Sequence, residues 1–286
     1  MNSDKTKNVA VSVALLSMIS VQGGASIAKY LFPMLGPAGT SALRIGLAGI
    51  LLAMINRPNI RLFKKHEWFY SAGYGICLAF MNLLFYYAIQ RIPIGLAVTI
   101  EFLGPLSLAL LTSKRLLDIV WVLLVAAGIA LIAPWQHNGI NPIGLLFAFS
   151  AGVLWAFYIV IGGKITRKMK GRDAITVGMC IGTFLILPFG VFSHDLDALN
   201  FKLLLIGLSV AVFSSALPYS LDLLALRRLP SKTFSILQSL QPVFGALSGL
   251  LFLGERLTPN QWIAILCIVL ASIGATTFAL DKSPAS

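Results

Sequence analysis

Charged side chains are scarce in this sequence. They make up 11% of its 286 residues, and only 10 are Asp or Glu. Soluble domains carry roughly 25% charged residues, so too few are present to coat a globule of this size against water. Cysteine is also sparse. Cys77, Cys180 and Cys267 fall in three separate apolar stretches, which excludes a disulfide framework and a thiolate metal site. His66, His137 and His194 lie far apart between apolar stretches, so no His cluster exists for metal binding or acid–base chemistry. No P-loop, His-Glu-x-x-His or Cys-x-x-Cys occurs. Ser26-Ile-Ala-Lys29 matches a Ser-x-x-Lys pair but lacks the companion motifs of that chemistry. No enzyme, metal or cofactor is expected.

What is abundant is apolar: 58% of residues are hydrophobic and the mean hydropathy is +0.88. A helix crosses the hydrocarbon of a bilayer in about 20 residues. Apolar runs of that length fall near 9–30, 38–55, 68–89, 95–112, 118–134, 142–163, 174–192, 201–224, 231–252 and 259–280. A backbone in lipid must pair its own polar groups, so each run is predicted to be a helix. The first run, although preceded by Lys5 and Lys7, is long enough to span and reads as a helix rather than a cleaved signal. The expected fold is therefore all-α and transmembrane, with ten helices.

The net charge of +12 does not point to nucleic acid, because the basic residues sit in short loops between apolar runs. With the N-terminus in the cytoplasm, 17 of the 22 Lys and Arg fall on the cytoplasmic side. That bias predicts N-terminus and C-terminus both inside.

The chain also repeats itself. Ala88-Ile-Gln-Arg-Ile-Pro93 matches Ala225-Leu-Arg-Arg-Leu-Pro230, and Pro105 and Pro242 each follow twelve residues later, at a constant offset of 137. Two five-helix repeats are predicted, 1–136 and 137–286. Five is odd, so the second copy enters the membrane inverted, as in secondary transporters that bind substrate near the midplane.

Polar side chains within spans are costly and mark function. Glu101 and Arg44 each lie six residues inside a span, about 9 Å deep at the helical rise. Gln22 and Asn82 reach a similar depth, completing an outer polar layer. Gln238, the repeat partner of Glu101, lies toward the inner face, as do Trp155, Tyr158 and Tyr219. Pro105 and Pro242 are expected to act as hinges, because a mid-helix proline frees the carbonyl four residues back. These would be the carbonyls of Glu101 and Gln238, available to an ammonium group. Other readings stay open: Arg44–Glu101 as a structural ion pair, Gln22-Gly-Gly24 as close helix packing, the three aromatics as packing residues. Asp222, near Arg227 and Arg228, reads as a terminal salt bridge.

Four stretches, Gln22-Gly-Gly-Ala-Ser26, Glu101-Phe-Leu-Gly-Pro-Leu106, Leu217-Pro-Tyr-Ser-Leu-Asp222 and Leu253-Gly-Glu-Arg-Leu-Thr-Pro259, resemble the drug/metabolite transporter superfamily with its EamA-type repeats. Within it the chain is most similar to the bacterial threonine/homoserine exporters. It departs from their pattern at Gln241, where an acidic residue can stand, which leaves a two-carboxylate coupling scheme without its second member at that position. The resemblance implies an inner-membrane exporter of small amino acids, driven by protons through alternating access, with Gln241 among the substrate-binding or coupling residues. The alternatives are an exporter of another small metabolite, such as a larger amino acid or nucleobase, or an intramembrane enzyme.

The charge bias makes a direct test available. In a cysteine-free background, single cysteines in loops 56–67, 113–117, 164–173 and 225–230 should resist impermeant thiol reagents in intact cells. Strong labelling of 164–173 from outside would break the inverted-repeat topology.

Overall fold

A computed structural model of the chain describes residues 2–111, 117–132, 140–168, 171–226 and 237–279. Every regular element among them is helical: α1 (Asn2–Asn56), a 3-10 turn (Ile60–Leu62), α2 (Lys65–Ile89), α3 (Ile94–Glu101), α4 (Leu103–Leu111), α5 (Leu117–Ile132), α6 (Pro142–Lys168), α7 (Gly171–Phe192), α8 (Phe201–Ala211), a π turn (Val212–Ala216), α9 (Leu217–Leu226), α10 (Gln241–Leu253) and α11 (Pro259–Ala279).

These bounds differ from ten separate spans in two places. The runs 9–30 and 38–55 join in α1, which bends at Gly36. The run 95–112 divides at Phe102, and residues 231–236 lie outside the described part. Four stretches are long and apolar enough to cross a bilayer as they stand: Val9–Asn56, Lys65–Ile89, Pro142–Ile165 and Arg172–Phe192. Among the described residues the other apolar helices are shorter.

The bend in α1 has a local cause. Gly36 adopts φ 53°, ψ 173°, a conformation essentially reserved for glycine. Pro33 and Pro37 flank it and weaken the helical ladder on both sides. The second arm of α1 then needs a cap for its exposed N–H groups. Asp195, from the loop between α7 and α8, supplies it by accepting the Gly39 N–H at 3.1 Å. A Cβ on Gly36 would stand 2.3 Å from that carboxylate.

The broadest helix contacts join the two halves of the chain. α2 packs on α6 and α7, α1 on α7, α8, α9 and α10, α3 on α10 and α6, and α5 on α11. The interior is lined by small residues and aliphatics, with Tyr86, Leu96, Ala97, Ala148 and Ala151 fully buried. The exterior is the reverse of a soluble protein's. Phe69, Phe184, Phe192, Phe201 and Leu251 are 74–82% exposed, and patches of that kind belong against lipid.

Gly36→Ala should lower the amount of folded protein, because the site combines a glycine-only conformation, costing about 1–3 kcal/mol, with a clash against Asp195. Fluorescence-detected size exclusion after detergent extraction measures this. Gly23→Ala, where nothing approaches within 4 Å, is the matched control and should leave the profile unchanged.

Candidate binding site

The break between α3 and α4 shapes the centre of the site. Pro105 is the third residue of α4 and cannot donate to the Glu101 carbonyl, so the helix interrupts at Phe102. α6 closes on this point with glycine. A Cβ on Gly152 would lie 2.4 Å from the Glu101 carbonyl oxygen, and one on Gly104 would lie 1.8 Å from the Gly152 carbonyl oxygen. The backbones meet here without side chains between them, a close approach that small residues permit. This corrects the expectation that the freed Glu101 carbonyl awaits a ligand, since the Gly152 backbone covers it.

The Glu101 side chain is 9% exposed. Among the described residues its carboxylate takes part in no ion pair and meets no hydrogen-bond donor. A buried carboxylate left in this state is costly and needs a reason. Phe102 beside it packs edge-on to Trp155 of α6, with ring centroids 5.6 Å apart.

Arg44 is 5% exposed and bears electrostatically on Glu101, but it is committed elsewhere. Its Nε donates to Ser215 Oγ at 2.9 Å, one terminal nitrogen to the Ser214 carbonyl at 2.7 Å, and the other to Tyr86 Oη at 3.3 Å. It thus holds the π turn, where the helical ladder leaves groups in need of partners. The Arg44–Glu101 ion pair is not formed.

The remaining candidates sort into distinct neighbourhoods. Asn82 donates to the Leu78 carbonyl one turn back at 2.7 Å. Tyr158 hydrogen-bonds with Tyr74, their rings 4.5 Å apart, so it belongs to the α2–α6 packing. The Tyr219 side chain lies outside the described residues. Gln22, Gln241 and Gln238 form one connected group. Gln22 Nε2 donates to Gln241 Oε1 at 2.7 Å, and Gln241 Nε2 donates to Gln238 Oε1 at 2.9 Å. Pro242 occupies the first turn of α10, just beyond a turn at Ser239–Leu240, and so marks a helix break as Pro105 does.

Three features escaped the sequence reading. Asp222 lies beside Ser17 and is hydrogen-bonded to Gln238; its expected partners Arg227 and Arg228 lie outside the described residues. Gly254, at φ 66°, turns the chain back so that Glu255 lies over Gly249. Glu255 there pairs with Lys29 and accepts the Ile94 N–H at 2.8 Å. Lys29 is therefore a structural partner, and Ser26 bonds Ser248 at 2.7 Å, so the Ser-x-x-Lys pair holds helices together. Only the Gly-Glu sequence could have signalled this.

The sequence profile of the EamA-like transporter family matches residues 142–277. The threonine/homoserine exporter RhtA of Escherichia coli (strain K12) is 39% identical over 96% of this chain and 93% of its own length. The protein belongs to the EamA-like transporter family. It is a multi-pass membrane transporter, not an enzyme. RhtA of Salmonella typhimurium (strain SL1344) is 40% identical over 93% of the chain and 90% of its own length. The uncharacterized transporter YwfM of Bacillus subtilis (strain 168) is 26% identical over 81% of each. A crystal structure 16% identical in sequence superposes with a TM-score of 0.62, covering 95% of this chain and 98% of that one, so the fold persists well beyond close sequence likeness.

Because Arg44 satisfies a carbonyl and a hydroxyl of the π turn, Arg44→Lys should destabilise the protein. An ammonium cannot reproduce the guanidinium fork, and a buried acceptor left unpaired costs about 1–3 kcal/mol. A lowered melting temperature in detergent is the expected reading, and an unchanged one would remove Arg44 from the support of the π turn.

Proposed function

We propose that this transporter exports small amino acids of the threonine and homoserine type across the bacterial inner membrane, with both termini in the cytoplasm. Ten crossings, arranged as two inverted five-helix repeats over 1–136 and 137–286, alternate the access of a central site. In support, Ser239, where α10 is preceded by a turn, stands 137 residues after Phe102, where α3 breaks from α4. The same offset relates the prolines, so both halves carry a broken helix at the corresponding place. Broken helices near the midplane are where such transporters hold substrate.

The observation that carries the assignment is the Glu101 carboxylate, buried without a partner beside the α3–α4 break. An amino acid presents an ammonium group that supplies the missing positive charge and donors. Trp155, edge-on to Phe102, offers an apolar wall. Arg44 contributes its field while its own donors stay occupied. Gly152 and Gly104 keep α6 close against the break, so the carboxylate is placed by backbone rather than by a flexible side chain. The two exporters named above, covering nearly the whole chain at 39–40% identity, support the substrate class. Export driven by proton entry would let Glu101 take a proton when the ammonium leaves.

The decisive assay is counterflow in proteoliposomes with a panel of labelled amino acids, in which threonine and homoserine should exchange and bulky aromatic amino acids should not. No exchange of either small amino acid by correctly inserted protein would turn the assignment toward another small metabolite. Within the same assay, Glu101→Gln should accumulate normally, because no partner is orphaned by the change. A charge-assisted bond is worth about 1.5–3 kcal/mol, so exchange should fall by about tenfold or more. Wild-type exchange by Glu101→Gln at matched protein would remove this residue from the mechanism.

A further inference from the structure

The connected amides of Gln22, Gln241 and Gln238 end on a carboxylate. The donors all run in one sense: Gln22 Nε2 to Gln241 Oε1, Gln241 Nε2 to Gln238 Oε1, and Gln238 to Asp222. Each amide offers a donor on one side and an acceptor on the other, so the group at the end of the row sets the sense of the whole row. Ser17 of α1, whose hydroxyl donates to the Pro218 carbonyl at 3.1 Å, lies beside Asp222, whose Oδ1 is buried with no hydrogen-bond partner. The row crosses from α9 through residues 238 and 241 to α1, and so from the second half of the chain to the first. Gln22 Oε1 reaches the face of Gly245, which packs on Val98 of α3, three residues before Glu101.

We propose that Asp222 is a proton-carrying coupling residue, and that Gln238 and Gln241 relay its protonation state to Gln22 at the junction of the two halves. This rests on the reading of the protein as a proton-driven exporter. An ionised Asp222 accepts from Gln238 and holds the row as observed. A protonated Asp222 becomes a donor on the oxygen that carries the proton. If that proton faces Gln238, its amide must turn, which sets Gln238 Nε2 against Gln241 Nε2. Two donors repel, so Gln241 turns in its place or the Gln22–Gln241 bond opens. Protonation on the oxygen that accepts from Gln238 thus loosens or reverses the Gln22–Gln241 contact between α1 and α10, where relative movement of the halves would be felt.

A proton suits this place better than a metal cation. A sodium or calcium ion needs a shell of several oxygens, whereas Asp222 faces an amide N–H and a hydroxyl. Among the described residues, the helix segments packed beside it carry no competing charge; Arg227, Arg228 and Lys232 lie outside them. Between Val9 and Gln22 of α1, and between Leu237 and Gln241, no residue is charged or titratable. The arrangement also answers the absence of an acid at position 241. Gln241 is an intermediate member of the relay, and the carboxylate stands two links further on.

The test compares two transport modes in proteoliposomes at matched protein level. Counterflow of labelled threonine at equal pH on both sides needs no net proton movement, whereas accumulation of threonine driven by an imposed pH gradient does. Asp222→Asn and Gln238→Leu should both retain counterflow and lose gradient-driven accumulation by about tenfold or more, within the range of coupling between linked sites. Gln238→Leu leaves the carboxylate intact and reads the relay even if Asp222→Asn fails to insert. Wild-type accumulation by Asp222→Asn, or by Gln238→Leu, overturns the proposal. Loss of counterflow together with accumulation also overturns it, since Asp222 would then belong to the substrate site. A wild-type protein that exchanges threonine but ignores the pH gradient would instead defeat the proton-driven reading itself.

Discussion

A guanidinium is always charged, and inside a lipid-embedded protein there is no bulk water to accept its hydrogen bonds. Arg44 is buried, so the chain must surround it with acceptors, and those acceptors belong mostly to the other half of the molecule. Ser214 and Ser215 offer them only because the backbone widens into a π turn over Val212–Ala216. The same need runs along the face of α1 before its bend. Ser17 bonds the Pro218 carbonyl, Ser20 the Phe213 carbonyl, Gln22 the Gln241 side chain, and Ser26 the Ser248 hydroxyl. Gly24 lets Ser214 approach. The first helix is thereby sewn to the second half by groups that have no alternative partner in lipid.

Against that background of satisfied polar groups, Glu101 stands out. The structure spends a helix break, two facing glycines and an aromatic wall on placing one carboxylate, then gives it nothing to bind. Arg44 and Glu101 bear opposite charges, and yet only the arginine has hydrogen-bond partners. An anchored arginine contributes a fixed field, while an unpartnered carboxylate can take a partner that comes and goes. That asymmetry separates support from site more cleanly than burial does, since both residues are equally hidden.

Sequence likeness and fold likeness part company here. The architecture is kept in a structure only 16% identical to this chain, because helix lengths, small-residue crossings and the positions of breaks are enough to define it. Chemistry is carried by a few side chains added to that frame. Neighbouring positions in the frame therefore take unlike roles. Tyr158 locks α2 to α6 by pairing with Tyr74, while Trp155, one turn away, packs on the residue beside Glu101.

The spans, their helical nature and the polar residues within them were legible in the sequence, because lipid leaves a chain few choices: long apolar runs must be helices, and a charge inside one must have a purpose. Depth was legible too, since it follows from counting residues along a helix. What depth cannot provide is azimuth. Arg44 and Glu101 at one level invited a pair, but the helix rotations point the arginine at the π turn. Asp222 sat near two arginines in sequence, and nothing local pointed to Gln238 as its neighbour. The break at Phe102 followed from Pro105, whereas the covering of the Glu101 carbonyl by Gly152 did not, because nothing local records which helix lies opposite. Composition and periodicity alone determined a bundle of apolar helices with a few costly polar groups. Only the tertiary structure decided which of those groups satisfy one another and which are left without a partner, because that depends on contacts between helices distant in the chain.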